Sequence, residues 1–293
     1  MTDCAPLRRS MLYLAGAYPE MISAYPRFPA DLFCFDLEDG TPPAMKAAAR
    51  QTIAEILHQT PDAARRERLL RVNGLDTPWG YADCVAAATL PLSGVVVPKV
   101  DGAGMVRQVE AVLNAAGAPA DMRIWCLIET PLGVLRAADI ATASPRIAGL
   151  VVGSTDLAEA LNVRQTASRM NMLCALGQIV LVARAHGLAV IDGVHPNYAN
   201  TDGFAESCAQ GVEWGFDGKS VVLPATIAMA NAAFGVSQGD IAQARAQVTA
   251  ADQAQDGYVS RHFAHARRLL ARAAHIEQQD KLRTSLARTA HAP

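Results

Sequence analysis

The chain has 293 residues, 51% of them hydrophobic and 18% charged, enough to bury one large core and close to the length of a single α/β barrel. Its formal net charge of −2 and isoelectric point near 6.4 leave no basic field for nucleic acid or an anionic membrane. The opening apolar run is too short for a signal peptide or a membrane span, so a soluble, cytoplasmic protein is expected.

After a short arm, residues 11–16 read as a first strand and 19–24 as a short helix. A second strand covers 32–39, with a helix over 44–58. A third covers 68–73, with a helix over 79–88. A fourth covers 94–100, followed by a helix over 103–116. The fifth and sixth runs, 123–129 and 147–156, flank a helical segment at 131–143. A helix over 173–186 leads to a seventh strand at 188–194, and one over 203–213 to an eighth at 217–224. Residues 227–234 close the round. Eight short β-branched runs alternating with helices predict a parallel sheet, and eight strands close a TIM (β/α)8 barrel. A doubly wound open sheet is the rival, weakened because no G-x-G-x-x-G follows the first strand.

Residues 1–235 therefore read as the barrel and 236–293 as a C-terminal helical extension. Gln, Ala and Asp dominate from Val236 to Asp256. A strongly helical stretch follows at 262–275, and the polar end after Lys281 is expected to fray. The extension packs back on its own barrel or reaches a neighbouring subunit. The six cysteines are scattered without a C-x-x-C pair. They are expected to be reduced and non-catalytic.

Chemistry is expected where parallel strands end. The fifth and sixth runs lie side by side, and their carboxylates, Glu129 and Asp156, should converge on one edge. Two nearby carboxylates repel unless a cation lies between them. A hard divalent ion, most simply Mg²⁺, suits such a pair. The competing reading makes Asp156 a helix cap or a solvated loop residue. The same edge gathers Asp36, Glu38, Asp39, Arg71, Asn73, Lys99, Asp192 and His195. The planar fork of Arg71 matches a substrate carboxylate, or else pairs structurally with Glu38 or Asp39. Lys99 beside a proline reads as a partner of nearby acids more readily than as a Schiff-base nucleophile. His195 is a rim residue or a structural one. His262 and His265 read as a solvated helix face.

Seven segments taken together resemble a known family. They are Arg9-Ser-Met-Leu-Tyr-Leu-Ala-Gly16, Phe35-Asp-Leu-Glu-Asp-Gly40, Leu70-Arg-Val-Asn73, Val97-Pro-Lys-Val100, Leu127-Ile-Glu-Thr130, Gly153-Ser-Thr-Asp-Leu157 and Gly215-Phe-Asp-Gly-Lys219. In this order they resemble the citrate lyase β-subunit-like family, within the wider group of 2-keto-acid aldolases, malyl-CoA lyases and citramalyl-CoA lyases. The resemblance implies a Mg²⁺-dependent TIM barrel, trimeric or hexameric, that cleaves or forms a carbon–carbon bond in a short carboxylated acyl-CoA. It implies Glu129 and Asp156 as metal ligands and Arg71 as a substrate contact, with Glu129 also at the keto acid. Glu38 would support Arg71 or a water on the metal. Asp256-Gly257 resembles an Asp-Gly that serves the neighbouring subunit's site as acid–base. The chain departs from the family pattern at Ala15-Gly16, at Met45, at Leu223-Pro224 and in the short segment after Gly257. The first and third departures bear on how a CoA tail is held. Three alternatives stand beside a lyase: a 2-keto-acid aldolase without CoA, a malyl-CoA-type thioesterase, and a non-catalytic subunit dependent on partner chains.

Overall fold

The computed structural model describes residues 6–60, 66–253 and 259–289. Eight strands, β1 (Ser10–Ala15), β2 (Leu32–Asp36), β3 (Glu67–Arg71), β4 (Gly94–Val97), β5 (Arg123–Ile128), β6 (Ile147–Val152), β7 (Ala189–Asp192) and β8 (Gly218–Val221), form a closed barrel in sequence order. All neighbours are parallel. β8 returns to β1 through Ser10↔Lys219, Met11↔Ser220 and Leu12↔Val221, so the sheet has no edge and the open alternative is excluded.

Strands covered on both faces need apolar residues at every position, hence the unbroken runs in the sequence. Alternate side chains separate into two cores. Met11, Leu32, Cys34, Leu69, Val96 and Trp125 fill the barrel interior, while Leu12, Phe33, Leu70 and Val95 pack under the helices. The helices are α1 (Pro19–Ser23), α2 (Lys46–Gln59), α3 (Gly80–Thr89), α4 (Ala103–Ala115), α5 (Pro131–Leu135), α6 (Ala137–Ala141), α7 (Ser154–Ala160), α8 (Leu173–Ala185), α9 (Thr201–Trp214), α10 (Ile227–Ala233), α11 (Gln238–Gln253) and α12 (Val259–Thr289). The single helix expected over 131–143 is two. The first begins at Thr130, whose Oγ1 accepts from Gly133 N at 3.0 Å, and Pro131 follows at the first helical position, a favoured start.

No described helix is long and apolar enough to cross a membrane. Cys34, Cys84, Cys126 and Cys208 are buried and unbridged, and Cys174 is exposed and unbridged. Burial pushes the Cys126 thiol up to about 12, which keeps it un-ionised.

The C-terminal extension differs from expectation. The polar stretch after Val236 is α11, and α12 continues to Thr289, past the point where fraying was expected. The cause is distant in sequence. At the N-terminal end of the barrel, buried Arg9 and Asp31 pair at 2.8 Å, and both reach α12. Arg9 Nη2 lies 3.0 Å from Asp280 Oδ1, and Arg283 Nη1 lies 2.6 Å from Asp31 Oδ1. This chain of four charges ties the helix to its own barrel, at the end opposite the strand C-termini.

Burial alone would raise the Asp31 carboxyl, but Arg9 and Arg283 hold it below the usual range. A depressed carboxylate stabilises the fold fully above its ordinary value near 3.9 and loses that contribution as the pH falls below it. Acid is therefore expected to loosen α12 below about pH 4. Asp31→Ala, which leaves Arg9 buried beside no carboxylate of its own strand layer, is expected to cost about 3–5 kcal/mol at neutral pH. Urea unfolding at pH 7 and pH 3 checks both, since the variant's deficit should shrink at the lower pH.

Candidate active site

The loop after β2 wraps around one carboxylate. Asp36, the last residue of that strand, accepts from Glu38 N at 2.9 Å and from Gly40 N at 2.8 Å. Gly40 is required for this approach, because a Cβ there would overlap Asp36 Oδ2. Lys46 fastens the loop from outside, with Nζ donating to the carbonyls of Leu37 and Glu38 at 2.8 and 2.7 Å. The strand register puts Asp36 directly beside Arg71. Arg71 grips it in a fork, Nε–Oδ1 2.7 Å and Nη2–Oδ2 2.6 Å. Arg71 Nη1 lies 2.9 Å from Glu38 Oε2, and the guanidinium sits 5.3 Å from the centre of the Tyr13 ring. Arg71 is therefore an ion-pair partner of Glu38, one of the two acids named from the sequence. Its main partner, Asp36, was not among them. Asp36 was grouped at this edge from the sequence but not as the partner of Arg71, and Tyr13 was the site residue that sequence reasoning missed. A parallel β2–β3 pairing with Asp36 and Arg71 each ending its run was the available signal.

Next round the barrel, Lys99 holds an unusual backbone, φ +50°. Its N–H donates to Glu129 Oε1 at 2.8 Å, and its ammonium bridges Glu38 Oε1 at 2.7 Å and Asp156 Oδ2 at 3.2 Å. Burial works against that charge, but Glu38 overcomes it and raises the lysine above its usual value. A held ammonium has no lone pair to attack a carbonyl, so this geometry does not suit a Schiff base. Although burial opposes ionisation of Glu38, Arg71 and Lys99 hold its carboxyl below the usual range.

Glu129 follows β5 and is nearly inaccessible. Burial, with the charges of Asp156 and Glu38, pushes its carboxyl up to about 8 against the pull of the Lys99 N–H. Asp156 is not at a strand end as expected. It lies in the first turn of α7, whose cap is Gly153, and so does not cap the helix. Gly153 is needed where it stands, because a Cβ would overlap Glu129 Oε2. Glu129, Asp156, Arg71, Asp36 and Tyr13 all line one cavity of about 350 Å³ at the C-terminal mouth of the barrel.

Two residues grouped at this edge from the sequence serve elsewhere, and a third stays at its rim. Asn73 is buried behind the acidic loop, where Nδ2 donates to Leu37 O and to Asp83 Oδ2. Asp192 faces outward under α9, bound to Lys219 at 2.7 Å and Arg169 at 2.6 Å. These two cations hold it below the usual carboxylate range despite complete burial. His195 stands at the rim, half-buried against Phe204. Asp256 and Gly257 lie outside the described residues.

Among the described residues no group of three or more His, Cys, Asp or Glu is arranged to hold a metal. The pair Glu129 and Asp156 nevertheless fits a magnesium ion. That ion characteristically takes one or two carboxylates and leaves its other positions to water and substrate oxygens. A crowded carboxyl raised to about 8, facing a cavity that Asp156 also lines, is what a cation would relieve. The cavity thus combines an acid pair suited to a divalent ion with an arginine suited to a carboxylate.

The sequence profile of the HpcH/HpaI aldolase/citrate lyase family matches residues 9–224. A (3S)-malyl-CoA thioesterase of Cereibacter sphaeroides is 37% identical over 276 residues, covering 90% of this chain and 94% of that protein. The citrate lyase subunit beta of Escherichia coli K12 is 34% identical over 252 residues, covering 84% and 83%. Among solved structures, the CitE protein of Mycobacterium tuberculosis in complex with magnesium, acetoacetate and coenzyme A superposes with a TM-score of 0.74 at 26% identity. It covers 94% of this chain and all of that one. A citrate lyase beta subunit from the same organism, complexed with oxaloacetate and magnesium, gives 0.65 at 26% identity, covering 79% and 97%.

Proposed function

The chain belongs to the HpcH/HpaI aldolase/citrate lyase family, and from that premise we propose that it is a magnesium-dependent carbon–carbon lyase. Its substrate is a short carboxylated acyl-CoA of the citryl-, malyl- or citramalyl-CoA kind, and its products are a 2-keto acid and an acyl-CoA. The observation that carries the reading is the convergence of Glu129 and Asp156 beside Arg71 in one cavity. Magnesium with small keto acids in the related CitE structures supports it.

Glu129 and Asp156 would hold the ion, which supplies Lewis-acid stabilisation to the carboxylate and adjacent oxygen of the keto-acid half. Arg71 orients that carboxylate. Asp36 occupies its Nε–Nη2 edge and Glu38 takes one hydrogen of Nη1, so the second Nη1 hydrogen, kept aimed by Glu38, is the one offered to substrate. In the cleavage direction a base removes the proton from the hydroxyl whose carbon becomes the ketone. The bond to the neighbouring carbon then breaks, and the acyl-CoA departs as an enolate that is protonated. Asp256, contributed by a neighbouring subunit of a trimer or hexamer, is the proposed proton carrier.

The test is direct. Incubation with malyl-, citramalyl- and citryl-CoA should release keto acid with magnesium and none with EDTA. Keto acid formed at equal rates in EDTA would overturn the reading. The relative at 37% identity favours a second one, hydrolysis of the thioester, in which the same substrates yield the free hydroxy acid.

Sharing of Asp256 has its own assay. Asp256→Ala and Glu129→Gln are each expected to be nearly inactive, the first because acid–base groups contribute about 10²–10⁴-fold and the second because it weakens the hold on the ion. Co-refolded mixed oligomers should regain part of the activity, because some sites unite an intact acid pair with an intact neighbouring Asp256. No recovery, with mixed assembly verified by mass spectrometry, would exclude a shared site.

A further inference from the structure

Four buried side-chain atoms among the described residues have no hydrogen-bond partner, and two of them, Ser220 Oγ and His195 Nε2, line one small cleft. Leaving a buried polar atom unpaired costs about 1–3 kcal/mol, so two in one cleft ask for a ligand. Ser220 is on β8 and 2% exposed. It also lines the main cavity, as do Val194, Tyr198 and Val222, so the two spaces share a wall. The cleft measures about 10 Å³, close to what one water needs. It is too small for a substrate group.

We propose that this cleft holds the water that hydrolyses the thioester, with Ser220 orienting it and His195 Nε2 taking its proton. This deepens the second reading above and rests on the chain acting on acyl-CoA. The water oxygen bonds to the thioester carbonyl carbon as one of its protons passes to His195 Nε2. The carbon–sulfur bond then breaks, and the thiolate takes that proton to leave as the thiol. The new carboxylic acid releases its remaining proton to solvent. No oxidant or other reactant is needed. The imidazole suits this role because burial, with Lys219 and Arg169 nearby, lowers its affinity for protons against the pull of Glu206. It is therefore neutral at neutral pH, and the tautomer protonated at Nδ1 offers Nε2 as an acceptor.

The experiment measures two products from one substrate. With malyl-CoA and magnesium, hydrolysis gives malate and carbon–carbon cleavage gives the keto acid. His195→Gln is expected to lower the malate-to-keto-acid ratio about 100-fold, as expected for a lost general base. Ser220→Ala should lower it about tenfold, equivalent to one hydrogen bond to the water. Melting curves accompany both variants. If Ser220→Ala fails to fold, His195→Gln decides, because that residue lies on a half-exposed loop. A ratio unchanged in His195→Gln, or keto acid without malate from the unaltered protein, overturns this proposal and leaves the lyase reading intact. Neither product from the unaltered protein, across all three acyl-CoA substrates, overturns both.

Discussion

Glu129→Gln is expected to reduce carbon–carbon cleavage by about 10³-fold while the barrel stays folded. Glutamine keeps the shape and can still accept from the Lys99 N–H, now 2.8 Å from Oε1, so what changes is the charge. Lewis-acid stabilisation is worth several kcal/mol, and each 1.36 kcal/mol is about tenfold in rate. Burial already taxes ionisation of Glu129, and removing its charge should also ease the fold, so a raised melting midpoint with lost activity would be a coherent result. Asp156→Asn should act in the same direction and also release Lys99 from one of its two carboxylates. Calorimetric titration with magnesium chloride should show weakened binding in both. If both variants keep full activity at limiting magnesium, the acid pair does not hold the catalytic ion.

Arg71→Lys comes next in size, with an expected fall of about 10²–10³-fold in kcat/KM, as for loss of a preorganised donor. Lysine keeps the charge and loses the fork. The Asp36 carboxylate, now held by both Nε and Nη2, would keep its two backbone donors from Glu38 and Gly40 and lose its planar partner. A single ammonium cannot serve Asp36, Glu38 and a substrate carboxylate together. Condensation kinetics with glyoxylate or pyruvate should show KM for the keto acid raised and kcat lowered. Wild-type values for both would reduce Arg71 to a strut between β2 and β3.

Much of this molecule was legible in the sequence because strands buried on both faces leave a strong trace. Leu32 to Asp36 and Arg123 to Ile128 are apolar nearly throughout, and runs of that kind separated by helices close into a barrel. Glu129 and Arg71 stood out for the same reason, as charges interrupting apolar runs. That trace also hides direction. With both faces apolar, nothing in the run that ends at Asp192 says whether its carboxylate points into the mouth or under α9. Closure of the barrel turned it outward, onto Lys219.

Pairings across distance were likewise beyond the linear text. Arg71 meets Asp36 because the register of two parallel strands puts them side by side. Lys99 bridges Glu38 and Asp156 because three loops end at one mouth. The polar tail reads as a fraying end from its composition, and it is ordered by Arg283 reaching Asp31, 252 positions earlier. Apolar periodicity is a local property of the chain, written residue by residue, and it determined the barrel and the candidate charges by itself. Which charge neutralises which depends on the position of every strand around the closed ring, and only the folded chain decides that.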